Sequence, residues 1–153
     1  MFVNESGKTS RSSKGSPFLE AISAECTAQL EKLIATSALE GFASLSTVDG
    51  RVFAHTATAS NIQGSRVSAL TSSILALCES LSKEVLLGPC DYSAISSVKG
   101  SVVLVRVPTA HQNFILSVGA DSTENIAMVL RKTLDAAQLL GETLDRSPLH
   151  VLS

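Results

Sequence analysis

The chain has 153 residues, 44% of them hydrophobic and only 17% charged, with a formal net charge of −2 at pH 7. That length fits one domain able to bury roughly 70% of its unfolded surface. A pI near 5.9 and an aromatic set of five Phe, one Tyr and no Trp exclude the basic, stacking surface of a nucleic-acid binder and the cationic face of an anionic-membrane binder.

Met1–Ser16 is rich in Ser, Gly and Lys without apolar periodicity, and reads as a flexible tail. It lacks the apolar core of a secretion signal, and no apolar run approaches the roughly 18 residues of a membrane span, so a cytoplasmic protein is expected. Gly7-Lys8-Thr9 ends like a phosphate-binding P-loop. Phe2, however, stands where the first glycine belongs and no strand precedes it, so the cradle of backbone N–H groups is missing.

Ser16-Pro17 starts a helix, a capping hydroxyl before a proline at the first helical position. Leu19, Ile22, Cys26, Leu30, Leu33 and Ser37 continue it at three- and four-residue steps to about Ser37. The period then changes to that of strands. Gly41–Thr47 and Arg51–Thr56 flank Val48-Asp49-Gly50, and Asp-Gly between two such runs predicts a hairpin.

After the polar connection 57–64, Val67, Leu70, Ile74, Leu77, Cys78, Leu81 and Val85 trace one stripe of a long helix. It ends near Leu87, where Gly88-Pro89 stops it. Beside the stripe, Ala69, Ser73, Ala76 and Ser80 form a face of small side chains only, where an ordinary exposed face carries Glu and Lys.

Three strand-like runs follow, Asp91–Ser97, Ser101–Val107 and Asn113–Gly119, joined through Val98-Lys99-Gly100 and residues 108–112. Val102-Val103-Leu104-Val105 is apolar at consecutive positions, as a strand covered on both faces would be. Asp121-Ser122-Thr123-Glu124 fits a capping box for a last helix with the stripe Ile126, Leu130, Thr133, Ala137, Leu140 and Leu144.

The expected organisation is a tail over residues 1–16, an α/β domain of the α+β kind over 17–145, and a C-terminal tail over 146–153. The order α-β-β-α-β-β-β-α, with short turns forcing antiparallel neighbours, gives a five-stranded antiparallel sheet with helices on both faces.

Catalytic signatures are missing: there is no G-x-S-x-G, no dinucleotide fingerprint and no H-E-x-x-H. His55, His111 and His150 have no second ligand at metal spacing. Cys26 and Cys78 fall at helical apolar positions as small hydrophobes, whereas Cys90, at a loop–strand junction, is the thiol to test for reactivity. No local signature supports pairing Cys90 with His111 or Asp91. Arg51, Arg66, Arg106 and Arg131 are each open to two readings, an arginine finger or an ordinary solvated or salt-bridged residue. No catalytic residue, metal or cofactor is expected.

The spacing Leu30-Glu31-Lys32-Leu33, then Gly41-Phe42-Ala43-Ser44-Leu45-Ser46, then Asp49-Gly50-Arg51-Val52 resembles the opening of Roadblock / dynein light-chain domains, including the bacterial MglB-like ones. The small-residue helix 65–87 and Gly119…Asn125…Leu130-Arg131 resemble the later part, so the resemblance spans about Leu19 to Leu144. It implies a profilin-like sheet of strand order 2-1-5-4-3. It also implies a homodimer whose middle helices pack together and whose third strands pair edge to edge. Family members bind small Ras-like GTPases as regulators or platforms, in signalling and cell polarity, or serve as dynein light chains. The sequence departs from the pattern in its Ser-rich amino-terminal stretch and its sparsely charged middle helix.

Elementary packing supports the same interface. Small residues let two helices approach closely, and a two-fold dimer needs a self-complementary patch. Pairing an edge strand with its twin also removes an open edge. The residues expected there are Ala69, Ser73, Ala76, Leu77 and Ser80 on the helix and Tyr92, Ala94 and Ser96 on the strand. The plainer alternative is a small-residue face that touches only its own sheet. Two other functions stay open: a small-molecule sensor of PAS- or longin-like architecture, and a structural scaffold without a GTPase partner.

Overall fold

Asp49-Gly50 reverses the chain as its composition requires: Gly50 takes φ of +94°, a conformation strained for any residue with a Cβ. The computed structural model describes residues 17–35, 41–59, 61–85, 87–110 and 113–146. Within them run α1 (Pro17–Ala35), β1 (Gly41–Thr47), β2 (Val52–Ala57), α2 (Gly64–Glu84), β3 (Tyr92–Ser97), β4 (Gly100–Val107), β5 (Phe114–Asp121) and α3 (Ile126–Asp145). The expected tail 1–16, the helix-capping Ser16, Ser37 at the end of the first stripe, His111, His150 and residues 147–153 lie outside the described residues.

The five strands form one sheet in the order β2-β1-β5-β4-β3, antiparallel at every step. Both the element order and the strand order expected from the sequence are observed. The pleat divides the sheet's side chains between two faces. Ala43, Leu45, Val103, Val105, Val107, Phe114, Leu116 and Val118 meet α1 and α3, whose Cys26, Leu30, Val129, Ala137, Leu140 and Leu144 complete the core. Gly141 lets α3 come close: a Cβ there would sit 2.4 Å from the Pro108 carbonyl oxygen.

The opposite face carries α2, and its chemistry differs. Ser44, Ser46, Leu104, Ile115 and Ser117 are buried there, beneath Ser68, Thr71 and Leu75 of the helix. Ser46 Oγ and Ser68 Oγ are 2.6 Å apart, Ser72 Oγ donates to the Val48 carbonyl at 2.5 Å, and Ser117 Oγ donates to the Ser44 carbonyl at 3.4 Å. The helix is therefore seated through hydroxyls.

The apolar stripe read along α2 meets the sheet along one border only, through the half-buried Val67, Ile74 and Cys78. Leu70, Leu77 and Leu81 are 63%, 70% and 63% exposed. The reason lies in the strand face: small serines leave a shallow surface on which Ser68, Thr71 and Leu75 fit closely, and Leu70, Leu77 and Leu81 are turned outward.

Seating through hydroxyls has a measurable consequence. Ser46→Ala or Ser68→Ala alone leaves the other hydroxyl buried without its partner, which costs about 1–3 kcal/mol. The double variant removes both polar groups, so its loss is expected to be smaller than the sum of the two single losses. Urea denaturation of the four proteins gives this coupling directly, and strictly additive losses would show that the pair does not act as a unit.

The last helix also begins differently from expectation. Pairing of Asp121 with Gly100 carries β5 through Asp121, whose carboxylate then accepts from Thr123 N and Oγ1 in a local turn. Asn125 is the cap instead, accepting from Ala127 N at 2.7 Å. Ile126, expected on the buried stripe, is exposed, and Val129 takes the buried position in the first turn.

Candidate interaction surface

From Val67 through Cys78 the sequence of α2 contains no charged residue. At 100° per residue, Leu70, Ser73, Leu77, Ser80 and Leu81 fall on the side away from Ser68, Thr71 and Leu75, with Ala69 and Ala76 at its flank. All seven are exposed. The outer surface of α2 is thus a leucine ridge bordered by small side chains, with Arg66 at one end and Glu84 at the other. An isolated soluble helix surface carries charges here, and a contiguous apolar patch marks an interaction site.

The carboxyl-terminal part of α2 crosses towards β4 and β3. Glu79 pairs with Arg106 of β4 at 2.8 Å, and the Arg106 guanidinium donating to it holds the Glu79 carboxyl below its usual range. Ser93 Oγ of β3 donates to Cys78 Sγ at 3.1 Å.

β3 is an edge strand, last in the sheet order and hydrogen-bonded to β4. Tyr92, Ala94, Ile95 and Ser96 are exposed on it. The register separates them. Tyr92, Ala94 and Ser96 lie beside Val105, Val103 and Ser101, on the α1/α3 side, whereas Ser93, Ile95 and Ser97 lie beside Leu104, Val102 and Gly100, on the α2 side.

All eight residues expected at an interface are exposed, but they form two patches rather than one. Ala69, Ser73, Ala76, Leu77 and Ser80 belong to the outer surface of α2, and Tyr92, Ala94 and Ser96 to the opposite side of the sheet. The apolar side chain of β3 on the helix side is Ile95, which the sequence reading did not select. It borders a hollow of about 320 Å³ shared with Phe42, Ile62, Val102 and Gly119. The signal for it was the register opposite Val102, which needs the strand pairing to be known.

The remaining chemistry is sparse. His55 Nε2 is 3.2 Å from the Ile62 carbonyl, under Gly64, where a Cβ would touch its ring. No group of three or more His, Cys, Asp or Glu could hold a metal among the described residues. Arg51 pairs with Asp49 at 3.2 Å and Arg131 with Asp135 at 3.9 Å, both pairs on the surface. Arg66 is exposed. Cys26 is fully buried, and burial pushes its thiol up to about 12.

A groove of about 470 Å³ runs between α1 and α3, bordered by Gln29, Leu33, Lys132, Ala136, Leu139 and Thr143. It lies on the helical layer and not between sheet and helix. Among the described residues, no helix is long and apolar enough to cross a membrane.

No protein-family model matches the sequence, and no curated protein matches it. Solved structures do. MglB of Myxococcus xanthus superposes with a TM-score of 0.67 at 17% identity, covering 81% of this chain and 87% of that one. The gliding protein MglB of Thermus thermophilus gives 0.70 at 15% identity, covering 83% and 93%. A Roadblock/LC7 domain of Streptomyces avermitilis gives 0.68 at 14% identity, covering 77% and 96%. The chain has the Roadblock/LC7 fold. At these identities the likeness is one of fold. On this fold, Leu70, Leu77 and Leu81 of α2 and Tyr92 and Ile95 of β3 are exposed.

Proposed function

We propose that this chain is a homodimeric Roadblock-type regulator or adaptor that binds a small Ras-like GTPase in the cytoplasm and is not itself catalytic. The observation that carries the reading is the uncharged leucine ridge of α2 next to the open edge of β3. Two copies related by a two-fold axis bring ridge to ridge and edge to edge, so one operation covers both exposed features. Ile95 and Val102, left open beside α2, lie where a second copy's helix would add cover. The GTPase comes from the resemblance of the sequence to Roadblock domains, and the MglB-like fold supports it. In this reading no residue of the chain attacks a substrate. The protein acts by holding the partner's switch segments in one arrangement.

The test is binding to Ras-like GTPases encoded beside its gene, each loaded with GDP or a GTP analogue and followed by calorimetry. Complex formation that depends on the nucleotide is the expected result. A panel that shows no complex in either state would remove the GTPase and leave the scaffold reading.

A further inference from the structure

Two of the three free cysteines stand close together for reasons the interaction surface does not require. Cys78 lies in the carboxyl-terminal half of α2 and Cys90 in the loop that leads into β3, both half-buried. Ser93 stands between them: its hydroxyl donates to Cys78 Sγ at 3.1 Å and is 3.7 Å from Cys90 Sγ. Both sulfurs therefore touch one oxygen, and they are nearer to each other than those two lengths laid end to end.

Neighbouring contacts hold this arrangement. The Cys90 thiol donates to the Tyr92 carbonyl at 3.5 Å, and Glu79, the residue after Cys78, is held by Arg106 of β4 at 2.8 Å. The helical turn that carries Cys78 is thus tied to β4 through Glu79 and to β3 through Ser93. Gly88, in the loop before Cys90, has φ of +88° and nothing within 4 Å of where its Cβ would be. For the sulfurs to meet, the Ser93 hydroxyl that contacts both has to rotate away.

We propose that Cys78 and Cys90 are an oxidation site, closing into a disulfide within one chain when the protein meets a two-electron oxidant such as hydrogen peroxide. One thiolate attacks the peroxide, breaking its O–O bond, to give a sulfenic acid and one water. The second thiolate displaces the sulfenic oxygen as a second water and forms the S–S bond. The two thiols lose two electrons and two protons in total, which the peroxide takes up. The bond joins α2 to the start of β3. It does not depend on a GTPase partner or on dimerisation.

Cys26 provides a control inside the molecule, because it is fully enclosed in the core. The full-length protein is treated with hydrogen peroxide at neutral pH, alkylated, and analysed by intact mass and non-reducing peptide mapping. The expected result is a single-chain mass lower by two hydrogens, a Cys78–Cys90 linked peptide, Cys26 still alkylatable after unfolding, and full reversal by dithiothreitol. Cys78→Ser and Cys90→Ser are each expected to abolish the linked species. Three results would overturn the proposal: linkage only between chains, oxygen addition to Cys90 with Cys78 still free, or both thiols unreacted. The mapping of the unaltered protein decides the matter even if a variant fails to fold.

Discussion

Phe114→Ala is expected to destabilise the domain by about 3–5 kcal/mol, the range for emptying a fully enclosed aromatic site. Phe114 opens β5, the strand between β1 and β4, and no part of it reaches solvent. Its ring meets Phe53 of β2 edge-on, with centroids 5.3 Å apart and planes at 66°, a geometry that adds to simple burial. The chain holds only five Phe and no Trp, so little aromatic volume is available to refill the space. The neighbours are strands fixed on both sides of β5 by hydrogen bonds, which limits collapse into the cavity. Urea denaturation measures the loss, with Val98→Ala as reference. Val98 is 91% exposed in the β3–β4 turn, and its truncation is expected to change stability by less than about 0.5 kcal/mol. A loss below about 1 kcal/mol at Phe114 would mean that the α1/α3 core is not packed as described.

The parts of this fold that were legible in the sequence are those fixed locally. Asp49-Gly50 and Val98-Lys99-Gly100 each bring neighbouring strands into antiparallel contact whatever surrounds them, and from those turns the element order follows. The parts that were not legible are those fixed by a facing element. Asp121 and Asn125 are both good capping residues, and nothing local chooses between them. The choice is made by β4, whose Gly100 pairs with Asp121 and draws it into β5. The orientation of α2 is similar. Hydropathy alone points its leucines inward, but Ser44, Ser46 and Ser117 on the sheet select Ser68 and Thr71 as the contact. The residues expected at an interface are exposed, and their arrangement on the surface was not legible. Small and apolar side chains on α2 and β3 are visible along the chain, whereas the division of β3 between two sheet faces appears only in its register with β4.

That division bears on how the proposed dimer should be broken. Leu77→Glu is expected to convert the protein from dimer to monomer at micromolar concentration, while the stability of the single chain stays nearly unchanged. Leu77 is 70% exposed in one chain, so a glutamate there is solvated and loses little helix propensity. In a seam between two copies of α2 the same carboxylate is buried without a partner, and the two-fold axis places it there twice. A buried unpaired charge costs about 3–5 kcal/mol, which raises the dissociation constant by roughly two to three orders of magnitude or more. Ala76→Glu is expected to weaken the dimer in the same direction but less. Ala76 borders a hollow shared with Glu79 and Arg106, and a carboxylate entering it finds a guanidinium within reach as well as a like charge. Sedimentation velocity over a concentration series separates these results. Loss of the dimer in Leu77→Glu with retention in Ala76→Glu would place the seam along the leucine ridge of α2. An unchanged dimer in both would exclude α2 and leave the edge of β3 to hold the two chains together through its backbone alone.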